Sequence, residues 1–89
     1  MDNKCYIISY EISSSTNEVA LENAIKSYGS WAKITDNTWA IVASASAVEV
    51  RDFLWKYLNQ GDRVFVVKSG LESAWHNVIC SNEWLKRNL

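Results

Sequence analysis

The sequence has no proline, one histidine, one methionine, two cysteines and three glycines among 89 residues. Without proline, nothing in the chain forces a break in the backbone ladder, and long regular elements are expected. A zinc site built from Cys and His alone would need Cys5, Cys80 and His76 together, plus a carboxylate, and their spacing shows no metal pattern. Both cysteines read as free thiols of a reducing, cytoplasmic compartment. The opening Asp2-Asn3-Lys4 lacks the pattern of a secretory leader. No apolar run approaches the ~18 residues of a membrane span. Excess charge of one sign is missing too. Nine Lys+Arg stand against ten Asp+Glu, a formal net charge of −1, which excludes a strongly basic nucleic-acid coat.

What is present is apolar and aromatic. The hydrophobic fraction is 48%, with five tryptophans, and it excludes a disordered chain. At this length one domain spanning residues 1–89 is expected, burying about 60–70% of its unfolded surface. Acidic residues dominate the first half (Glu11, Glu18, Glu22, Asp36, Glu49). Basic ones gather in the second (Arg51, Lys56, Arg63, Lys68, Lys86, Arg87).

The run Cys5 to Ile12 is β-branched and aromatic and predicts a strand. Ser15 with Glu18 fits a capping box, and Leu21, Ala24, Ile25 and Tyr28 then recur at helical spacing until Gly29. Residues 30–34 and 38–43 flank the turn-forming Thr35-Asp36-Asn37 and predict a hairpin. Ser46 with Glu49 repeats the capping box, and Val50, Phe53, Leu54, Tyr57 and Leu58 form a second helical stripe closed by Gly61. Residues 62–68 predict a fourth strand ending before Gly70. The segment Leu71 to Trp75 reads as a turn or an added strand. Glu83 to Arg87 reads as a terminal helix capped by Ser81 or Asn82.

The order strand, helix, strand, strand, helix, strand is the split βαβ pattern. It predicts an α+β, ferredoxin-like βαββαβ fold. Its four-stranded antiparallel sheet carries two helices on one face, with a C-terminal tail holding a short strand or helix. Strand side chains alternate faces. If the helices cover Tyr6, Ile8 and Tyr10 with Ile34, Val42, Phe65 and Val67, the other face shows Ile7, Trp31, Trp39, Ile41, Val64 and Val66. An apolar face of that size marks an interface. The expectation is a homodimer packed through those six residues, with the tail as the other cover; Trp75 and Trp84 are available for that.

The hydroxyl-rich loop Ser13, Ser14, Ser15 and Thr16 precedes a helix N-terminus and offers hydrogen bonds to a phosphate. Arg63 and Lys68 offer charge to a nucleic-acid backbone. Helix capping and surface solvation are the ordinary uses of such residues. His76 beside Trp75 reads as a packed or surface residue.

Several segments together carry a family likeness: the opening strand Tyr6 to Glu11, Gly29-Ser30-Trp31 through Thr38-Trp39, Asp62 to Val66, and Ala74-Trp75 with Glu83 to Lys86. The chain resembles the small CRISPR-associated adaptation subunit (Cas-two), virulence-associated protein D and their small uncharacterised relatives. The resemblance implies a homodimer in which the acidic residue ending the first strand lies near the two-fold axis. Paired carboxylates there would hold a divalent metal, Mg²⁺, for phosphodiester cleavage. Glu11 is the matching position, where the family usually carries aspartate. Two functions follow as expectations. One is a Cas-two-like protein that binds nucleic acid or cleaves it as a metal-dependent endonuclease through Glu11. The other is a non-catalytic protein-interaction module, such as an antitoxin or immunity protein.

Overall fold

The strands and helices come in the expected order. A computed structural model describes residues 3–70 and 72–89. The elements are β1 (Lys4–Glu11), α1 (Glu18–Lys26), β2 (Ser30–Thr35), β3 (Thr38–Ala43), α2 (Ala47–Trp55), β4 (Arg63–Lys68) and α3 (Asn82–Asn88). The strands make one antiparallel sheet in the order β2-β3-β1-β4, a ferredoxin-like arrangement. The tail contributes a helix, α3, capped by the Ser81 hydroxyl on the Trp84 N–H. Leu71, where a turn or added strand was expected to begin, lies outside the described residues. No regular element occupies 72–75.

Local chemistry explains most boundaries. Ser46 and Glu49 close a complete capping box at α2. The cap of α1 differs from the expected Ser15. It is Asn17, whose Oδ1 accepts from the Ala20 N–H at 3.0 Å. Ser15 lies two residues before that cap, and its hydroxyl pairs with that of Ser13 at 2.8 Å. Gly29 and Gly61 turn the chain at φ +93° and +92°, the left-handed region that glycine enters without strain.

The partition of the sheet faces corrects the sequence reading. Tyr6 pairs with Ile41, Ile8 with both Trp39 and Val66, and Tyr10 with Val64. Directly paired residues share a face. Trp39, Ile41, Val64 and Val66 therefore join the β1 side chains beneath the helices, and are not an exposed interface. Trp39 and Ile41 are 1% and 0% exposed, and both valines pack against the core made with Leu21, Ile25, Val50 and Leu54. Trp31 lies on the same face at the sheet edge, with the Lys26 ammonium 5.0 Å from its ring and Trp39 at 5.5 Å. Of the six expected interface residues, Ile7 alone lies on the other face. Val42, Phe65 and Val67 lie on that other face too, and Ile34, at the register irregularity of β2, is not among the residues packed against the core.

Away from the helices, Ala32 and Ala40 face each other across β2 and β3 and are both buried. Leu85 of α3 is 1% exposed, and the Ile79 N–H donates to the Ile34 carbonyl at 2.9 Å, tying the tail to the β2 edge. On β4, Phe65 and Val67 remain exposed.

Candidate functional site

The chain gathers its polar chemistry at one end of the sheet. There the end of β1 meets the loop before α1, the β2–β3 turn and the loop into β4. Two open clefts of about 1030 and 870 Å³ adjoin this end. Both are lined by Glu11, Asn37, Gln60, Asp62 and Arg63. The larger extends along β4 past Arg51, Trp55, Val64 and Phe65, and the smaller toward Glu18 and Asp36.

Glu11 lies opposite Arg63 in the β1–β4 register, and this pairing sets its state. Arg63 Nη1 donates to Glu11 Oε1 at 2.7 Å, and both side chains are exposed. Such a pair adds little stability in water. It does occupy the carboxylate that would have to bind a metal. Among the described residues, no three His, Cys, Asp or Glu side chains cluster as a metal-holding group. Glu11 is thus paired with a guanidinium, and no two further His, Cys, Asp or Glu side chains among the described residues gather with it. That donor set does not fit Mg²⁺, which prefers several hard oxygen ligands.

Asp62 is the most heavily engaged acid at this end. Its Oδ1 accepts from the Ser13 N–H at 3.0 Å. Its Oδ2 accepts from the Asn59 N–H at 2.8 Å and from the Thr16 hydroxyl. The carboxylate therefore pins the β1–α1 loop to the α2–β4 loop. Thr16 spends its one proton on Asp62, so in the 3.3 Å contact between the Ser13 and Thr16 hydroxyls Ser13 donates. Ser15 in turn donates to Ser13. The loop read as a phosphate cradle thus turns its Ser13 N–H and Thr16 hydroxyl inward on a carboxylate. Ser14 is exposed, and Lys68 is exposed at the far end of β4. Ser13 and Arg63 come together at the cleft, whereas Lys68 does not.

Those hydrogen bonds, the Thr16 hydroxyl first and then the Asn59 N–H, hold Asp62 below the usual carboxylate range. The Ser46 backbone and hydroxyl do the same for Glu49. Folded, both acids bind protons less readily than in the unfolded chain. Their contribution is complete above the ordinary carboxylate pKa and is lost as pH falls through the lowered folded values. We expect denaturation midpoints to drop below about pH 4. Asp62→Asn should start lower at neutral pH and show a shallower acid loss, which denaturant titrations from pH 7 to 2 would measure.

The remaining nucleophilic groups are quiet. Burial raises the Cys5 and Cys80 thiols above their ordinary value, keeping them protonated. His76 is exposed. Sequence reasoning missed Asp62 and Trp55. The three partners of Asp62 include two that lie 46 and 49 residues away, beyond any local pattern.

No family model, curated protein or solved structure matches this chain. No helix among the described residues is long and apolar enough to cross a membrane.

Proposed function

We propose that this protein is a non-catalytic protein-interaction module, of the kind that antitoxins and immunity proteins represent. Its contact surface is the larger cleft and the β4 strand beside it. The observation that carries this reading is the state of the two acids at the cleft mouth. Glu11 is paired with Arg63 and Asp62 with three loop donors, so both carboxylates already have partners within the protein. The same cleft presents Trp55 and Phe65, 62% and 63% exposed, which are contact residues rather than chemistry. The homodimer expected from the sequence belongs to this proposal in a changed place, because Trp39, Ile41, Val64 and Val66 are occupied by the helices.

The test is a cleavage assay on RNA and DNA with magnesium, using wild type and Glu11→Ala. No cleavage by either protein is expected. Magnesium-dependent cleavage that Glu11→Ala abolishes would overturn the reading in favour of a Cas-two-like endonuclease.

A further inference from the structure

The two edges of the sheet are treated differently. At the β2 edge the Ile34 carbonyl is taken by the Ile79 N–H, and the β2–β3 register is irregular between Lys33 and Thr35. Both features blunt an edge against further pairing. The β4 edge has neither. Among the described residues β4 pairs with β1 alone, in a continuous register from Arg63 to Lys68.

The direction of its free groups follows from one hydrogen bond. The Ser69 N–H donates to the Cys5 carbonyl at 2.9 Å, and these two residues are opposite in the β1–β4 register. Bonded and non-bonded pairs alternate along an antiparallel ladder. Val67, Phe65 and Arg63 therefore bond to β1. The N–H and C=O groups of Val64, Val66 and Lys68 point outward, away from the sheet.

We infer that this edge pairs with β4 of a second copy, antiparallel about a two-fold axis at Val66, joining two sheets into one of eight strands. This rests on the interaction-module reading and names its partner. The choice of occupant comes from self-complementarity. With Val66 opposite itself, Val64 lies opposite Lys68 of the second copy, and all three outward residues of each strand find partners, about six backbone hydrogen bonds in total. On the face away from the helices, Phe65 lies opposite Val67 of the second copy, and Val67 opposite its Phe65. These are the exposed apolar side chains of β4, at 63% and 42%. No like charges oppose one another. Centring the axis on Phe65 instead would set Arg63 against Val67 and leave the outward groups of Lys68 without a strand partner.

The register is tested by cross-linking. Phe65 and the opposing Val67 form a non-bonded pair, whose Cα atoms should lie about 4.5 Å apart, within disulfide reach. Under mild oxidation, Phe65→Cys/Val67→Cys should give a covalent dimer, while either single variant stays near the wild-type level. No dimer from the double variant, or equal cross-linking by Phe65→Cys alone, would overturn the inference. Sedimentation equilibrium supplies a second readout. Wild type should move from 10.1 kDa toward twice that mass as concentration rises. Phe65→Lys/Val67→Lys should stay at 10.1 kDa with the melting temperature of dilute, monomeric wild type, since both positions are exposed in the monomer. A wild type that remains 10.1 kDa at every concentration would also overturn it. The cleavage assay judges the non-catalytic reading separately, so the two failures are distinguishable.

Discussion

Trp39→Ala should unfold most of the protein rather than change its assembly. Trp39 is among the largest fully buried side chains, and its indole N–H reaches the Tyr10 hydroxyl at 3.3 Å. It lies on β3 between Ile8 of β1 and the edge residue Lys33 of β2, beneath α1. Truncating a buried aromatic costs about 3–5 kcal/mol, through lost transfer energy and the cavity left behind. The orphaned Tyr10 hydroxyl adds to that cost. A domain of this size holds about 5–15 kcal/mol in all, so the loss is a large fraction of it. Denaturant titration and near-ultraviolet circular dichroism would measure the loss. Trp31→Ala, at the exposed edge, should cost much less. A folded Trp39→Ala protein of altered mass would place the residue in an interface after all.

Leu85→Ala should be the second severe change, with an expected cost of about 2–5 kcal/mol. The reason is geometric. α3 has seven residues, too few to persist as an isolated helix, so its anchoring side chain holds it. The variant should therefore combine a lower denaturation midpoint with rapid proteolysis of the tail at otherwise protected sites. A change within about 0.5 kcal/mol of wild type would mean that the tail does not contribute to the core.

Both variants bear on what was legible in the sequence. The element order was legible because helical and strand periods differ and because Ser46, Ser81, Gly29 and Gly61 mark ends by local chemistry. The faces were not legible. β3 is apolar on both sides, Trp39 and Ile41 against Ala40 and Val42, so alternation does not say which side meets the helices. A one-residue slip in register exchanges the two sets. Side-chain volume was the available signal. The large pair fills the space under the helices, and the two alanines, Ala32 and Ala40, lie on the other face. The site was legible at Glu11, Ser13 and Arg63 as separate residues, and their partners were not. Arg63 is 52 residues away from its partner Glu11, and the three donors to Asp62 meet only when the loops are in place. The end of β1 was located correctly, while what its carboxylate does depends on a register that no local pattern encodes.

The central claim is that the open β4 edge, and not a carboxylate, is the working surface. Amide hydrogen exchange at increasing protein concentration tests it most directly. The Phe65 and Val67 amides, bonded to β1, should be protected throughout. Those of Val64, Val66 and Lys68 should exchange rapidly when dilute and become protected as concentration rises. Rapid exchange of these three at every concentration would contradict the account.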